Sequence, residues 1–173
     1  MNVLFHTTVA FGVAVLLTDT NRVRPNAIVK DSLITGLIAF AIGIILHGVL
    51  DYMPHCYPID SKVDAILSFI IIAILIYLTN KRYRLITGLA FFGGIFPDLA
   101  DHSQGILNKY FGLNFPIGDK FFPWHWQEYS GSIYNSNCGI STLNHILIIL
   151  TVVGFCWVRR TDMKRMFNKN EKA

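Results

Sequence analysis

LITGLIAFAIGIILHGVLDYMPH, residues Leu33–His55, decides how this chain is read. Its first part, Leu33 to Leu50, is an apolar run of the length that crosses a bilayer, about 17–25 residues. Gly36, Gly43 and Gly48 mark where neighbouring helices can approach closely. Its end carries chemistry. His47 and Asp51 are four residues apart and so face the same side of a helix. Pro54 disfavours helix at Met53, which predicts a stop there, and His55 follows just past it. Imidazole and carboxylate on one helical face, at the mouth of a membrane segment, are how part of a divalent-metal site is built. The plainer alternative is a His–Asp hydrogen-bonded pair bracing a helix bundle. Both groups are costly near a bilayer unless they are paired or functional.

The rest of the chain agrees with a membrane protein. Of 173 residues, 53% are hydrophobic and only 15% charged, against about 25% in a soluble domain. Further apolar runs cover Val3 to Leu17, Val63 to Thr79, Leu85 to Pro97 and Leu143 to Val158. The expected fold is all-α: a polytopic membrane bundle of about five transmembrane or membrane-inserted helices. Residues 1–158 form one embedded domain with an extracytoplasmic loop at 98–142, and 159–173 form a basic cytoplasmic tail that frays. The start lacks a basic region before its apolar run, so that run is expected to stay in the protein.

The net charge of +4 does not point to nucleic acid, because the basic residues come in short clusters between apolar runs. They set topology instead. Arg22, Arg24 and Lys30 follow the first run, Lys81, Arg82 and Arg84 the third, and Arg159, Arg160, Lys164, Arg165, Lys169 and Lys172 the fifth. Five spans with the N-terminus outside and the C-terminus in the cytoplasm put all of these on the cytoplasmic side. The same arrangement places all six histidines on the other side, which points to one shared polar site.

Asp98, Asp101 and His102 would be grouped by any helical turn. Asp98 after Pro97 also reads as a helix cap. His6, among Phe5, Thr7 and Thr8, is either a ligand or a buried hydrogen-bonding residue. His125, between Trp124 and Trp126, is a ligand or general acid in an aromatic cleft, or an incidental member of an interfacial belt. Glu128 is the glutamate placed to act as a general base, or else a solvated loop residue. His145 opens the fifth run as a ligand or as a group orienting one. Cys56 and Cys138 fall on the oxidising side and could pair.

LHGVLDYMPH and GGIFPDLADH resemble the H-x-x-x-D-x-x-P-H and G-x-x-x-P-D-x-D-H segments of the bacterial membrane-bound metal-dependent hydrolase family. His6 and the HW at His125 are similar to that family's early histidine and its HR element. Here Trp126 replaces the arginine, and Asp98 and Asp101 are one residue further apart than in the family's commoner pattern. The resemblance implies a metal-dependent hydrolase of the bacterial inner membrane. His6, His47, Asp51, Asp98, Asp101, His102, His125 and His145 would supply the metal and its surroundings. The ion expected is zinc, with manganese or iron as alternatives, and His125 and Glu128 are the catalytic candidates. The partners expected are membrane lipids and a lipid or lipid-linked ester or phosphoester. The competing readings are a non-enzymatic metal-binding or metal-transporting membrane protein, and a structural protein whose His–Asp pairs cement the bundle.

Overall fold

The computed structural model describes residues 1–134 and 137–169. Among the described residues six α-helices make the fold: α1 (Val3–Leu17), α2 (Ile28–Tyr52), α3 (Ser61–Leu78), α4 (Arg84–Phe111), α5 (Gly139–Val158) and α6 (Arg160–Met166). No strand forms among the described residues. Three helices, α2, α3 and α5, are long and apolar enough to cross a membrane, while α1 is apolar but shorter. By length and composition these helices are consistent with a membrane protein. α3 and α5 bury little of their surface and present isoleucine, leucine and phenylalanine outward, as a helix in lipid does.

α2 and α4 form the closest pair, and glycine is the reason. A Cβ on Gly93 would stand 2.2 Å from the Phe40 carbonyl oxygen, and one on Gly43 would stand 2.8 Å from the Gly94 nitrogen. Backbone therefore meets backbone, which only small residues permit. α1 lies in the angle of this pair, its Ala10 and His6 against Gly94. Two of its first free N–H groups, of Val3 and Leu4, donate to the Asp64 carboxylate of α3 at 2.7 and 3.1 Å. Asn2, at the cap position, makes no such bond, so the α1 cap comes from another helix. Asp60 caps α3 itself through the N–H groups of Lys62 and Val63.

Two expectations need correction. α4 does not stop at Pro97 but runs on to Phe111, so the segment beginning at Asp98 opens as helix and Asp98 is not a cap. Packing on α2 outweighs the hydrogen bond that a proline removes. Pro97 leaves the Gly93 carbonyl without a helical donor, and the next carbonyl, that of Gly94, accepts from the His47 ring. The tail does not fray as far as Met166 either. α6 folds back, burying Met166 completely against Val15, Val23, Tyr83 and Ile86. Thr20 donates to Asp162, Asn80 N–H to the Met166 carbonyl, and Arg159 to the Thr18 carbonyl. Residues 170–173 lie outside the described residues. These contacts gather the basic clusters at one end of the bundle, and the histidines lie at the other.

Gly93→Ala is expected to lower stability by about 1–3 kcal/mol through overpacking against Phe40. Gly88→Ala, whose Cβ meets nothing within 4 Å, is expected to cost nothing. Thermal unfolding of the two variants in detergent compares them directly.

Candidate metal centre

Four elements converge at the histidine end. α2 supplies His47 and Asp51 from its last two turns. α4 supplies Asp98, just beyond Pro97. A single 3₁₀ turn, Pro123–His125, supplies His125. α1 brings His6 alongside. One atom from each of His47, Asp51, Asp98 and His125 lies within 4.8 Å of the others. His47 Nε2 is 3.1 Å from Asp51 Oδ2 and 3.7 Å from Asp98 Oδ1. His125 Nε2 is 3.3 Å from Asp51 Oδ2, 3.4 Å from Asp98 Oδ1 and 3.3 Å from His47 Nε2.

The protons explain why this group is unusual. His47 Nδ1 lies 2.7 Å from the Gly94 carbonyl oxygen, which can only accept, so Nδ1 carries the hydrogen. His125 Nδ1 likewise donates to Asp101 Oδ2 at 2.7 Å. In the neutral rings both Nε2 atoms are then acceptors, and both point at carboxylate oxygens, which are acceptors too. Four lone-pair donors face one another with no hydrogen left to share. Such a set calls for positive charge at its centre. Four ligands about 2.1 Å from a tetrahedral ion stand about 3.4 Å apart, close to the distances found here. Two imidazoles and two carboxylates suit zinc, manganese or iron(II). The residues fit a divalent ion; they do not identify which.

Burial differs among the four. The side chains of His47, Asp51 and His125 are 0%, 7% and 5% exposed, while Asp98 is 26% exposed. The centre therefore opens to solvent on the Asp98 side. His102, one turn further along α4, stands on the neighbouring flank with its ring 4.9 Å from that of His125. Burial opposes charge on His125, but Asp51, Asp101 and Asp98 outweigh it and hold its pKa above the ordinary value, so a proton and a metal ion compete for Nε2.

Asp101 does not join the four. It lies behind His125 and also accepts from the N–H groups of Phe121 and Phe122 at 2.8 and 3.0 Å. That one carboxylate fixes both the loop and the ring. Trp124 seats on Gly48, where any Cβ would stand 2.7 Å from its indole, and Trp126 is exposed. His6 meets the group at Asp51, with Nε2 3.2 Å from Oδ1, and at His47, on whose ring it stacks. The amino group of Met1 lies against the same oxygen. His145 stands outside, stacked on Phe5 at 3.9 Å. Glu128 is exposed, and no hydrogen bond or ion pair among the described residues involves its carboxylate.

A strap closes this end. Cys56 and Cys138 form a disulfide that ties the start of α5 to the segment after α2. Gly131 N–H donates to the Asp51 carbonyl, His55 N–H to the Gly131 carbonyl and Ile133 N–H to the His55 carbonyl, at 2.7–2.9 Å. The sequence signal for this strap was Gly131 between two serines, since a Cβ there would stand 2.2 Å from the Met53 carbonyl oxygen. His55 is not a ligand. Its Nδ1 donates to the Met53 carbonyl at 2.8 Å, and its Nε2 accepts from Tyr57 and Ser132 hydroxyls at 3.1 and 3.2 Å.

Burial pushes the His55 pKa down to about 4. A group with a depressed folded-state pKa stabilises fully above its unfolded value, about 6.5, and loses that contribution as pH falls toward 4. The strap is therefore expected to loosen between pH 6.5 and 4. Hydrogen exchange at Gly131 and Ile133, corrected for intrinsic rate, should speed up over this window in the wild type and lose that acceleration in His55→Gln. Comparison with known protein families, curated proteins and solved structures returns no match, so the site is judged on its own chemistry.

Proposed function

We propose that this chain is a membrane-embedded, metal-dependent hydrolase acting on a lipid or lipid-linked ester or phosphoester. The observation that carries the reading is the meeting of four acceptor atoms whose neighbouring protons are committed elsewhere. His47, Asp51, Asp98 and His125 would hold the ion. A bound divalent ion supplies a water acidified to a pKa of about 7 and polarises the scissile group. The chain supplies the rest. The Gly94 carbonyl and Asp101 hold the two imidazoles in the tautomer that ligation requires. Asp98 leaves one side open for substrate. His102, on that open flank, takes or returns the proton, a role that exposed Glu128 does not fill. Phe122 and Trp124, stacked with centroids 5.0 Å apart, wall the site against bulk water.

The proposed setting is the bacterial inner membrane, with five spans, the N-terminus outside and the cluster at the extracytoplasmic headgroup level. The one-sided basic clusters and the resemblance to bacterial membrane-bound hydrolases support it. A lipid substrate is favoured by an apolar groove walled by α1, α2 and α5, lined by Val9, Leu46, Val49, Leu50, Met53 and Leu147, at the membrane-facing side of the bundle. Transport is disfavoured. Between the cluster and the basic end, the buried polar side chains among the described residues include Ser68, Thr87 and Ser32, all uncharged.

Elemental analysis of detergent-purified protein, before and after chelation, tests the reading. The wild type is expected to carry divalent metal and to hydrolyse phospholipids or lipid-linked phosphates in a chelator-sensitive way. His47→Ala and Asp51→Ala are expected to lose the metal while circular dichroism reports the same helix content; full occupancy in both would overturn the assignment. Asp101→Asn removes no ligand, and its metal affinity is expected to fall about 10–100-fold, read by competition with a chromophoric chelator.

A further inference from the structure

Asp51 presents two oxygens, and the four-atom group uses only Oδ2. His6 faces the other. Its Nε2 stands 3.2 Å from Oδ1 but without the alignment of a hydrogen bond, and neither of its ring nitrogens has a hydrogen-bond partner. Its side chain is fully buried. A buried imidazole with both nitrogens unpaired, aimed at a carboxylate, is rare in a folded protein. The helix around it is arranged to put it there. Asp64 of α3 anchors the first turn of α1, and Gly94 of α4 lets the His6 backbone approach to where a Cβ would stand 3.3 Å from its carbonyl oxygen.

The His6 ring also stacks on that of His47, with centroids 3.8 Å apart and planes 13° from parallel. Each ring thus addresses its own oxygen of the same carboxylate from one of two parallel planes. Carboxylate-bridged metal pairs stand about 3.5–4 Å apart, which is the spacing of these rings. Two neutral imidazoles gain little by stacking over one carboxylate. A cation in line with the His6 ring would give its Nε2 a partner, on the Asp51 oxygen that the amino group of Met1 also touches.

Resting on the metal reading above, we infer that the centre is binuclear: Asp51 bridges, the first ion lies among His47, Asp98 and His125, and the second lies between His6 Nε2 and Asp51 Oδ1. The second ion has fewer protein ligands. It is therefore the weaker-bound of the two.

Titration of the purified full chain with Mn²⁺ tests this, with bound metal counted per chain and the paired-ion exchange coupling read by electron paramagnetic resonance. The wild type is expected to bind about two equivalents and to show coupled spins. His6→Ala is expected to bind about one and to show isolated spins. One equivalent in both proteins, with isolated spins throughout, overturns the second ion but leaves the four-ligand centre standing. Two equivalents in both overturns the role of His6. No metal in the wild type overturns the hydrolase reading itself. If His6→Ala fails to fold, the wild-type count and its spin coupling still decide between one ion and two.

Discussion

The passage of Gly43 against Gly93 and Gly94 is the contact on which the rest of this molecule depends. A side chain at any of these positions would push α2 and α4 apart. The His47 ring would then lose the Gly94 carbonyl that orients it, and Asp98 would move away from Asp51. Close backbone packing is a general means of joining helices in lipid, where no hydrophobic force draws them together. Here it does a second job, because the distance between two helix axes becomes the distance between ligands. The polar centre and the apolar interface are parts of one construction.

The fold was largely legible because its signals are repetitive. Apolar runs, glycines and basic clusters each recur, and each carries a physical rule that holds in a single sequence. His47 and Asp51 were equally plain, since four residues on a helix fix a shared face. What could not be read was whatever depended on neighbours. Pro97 is a stop signal in isolation, and only the packing of α2 shows why α4 continues through it. The tail is polar in sequence, and Met166 gains its place only from a pocket made by distant residues.

The site divides along the same line. Asp98 and Asp101 looked equivalent, three residues apart, yet one points into the centre and the other behind it. His125 needed a loop of unknown path to arrive. His145 shared the right end of the bundle but stacks on Phe5. Which end of the bundle a residue occupies was legible; direction around the helix axis in crowded surroundings was not. Glu128 attracted notice for its chemistry; its carboxylate is exposed, and no contact among the described residues joins it to the centre.

The strap and its disulfide bear on the order in which the molecule is made. His6, His47, Asp51 and Asp98 belong to helices that leave the ribosome first. His125 comes last, and Cys138, which ties its loop down, comes later still, 82 residues after its partner. A nascent chain ending at Phe111 would hold an open, electronegative cup with no lid. The fourth ligand closes that cup only when the loop folds back over Asp101. On the metal reading proposed above, capture of an ion is thus a finishing step of biogenesis, set by disulfide formation and loop closure, and the helices must find one another without it.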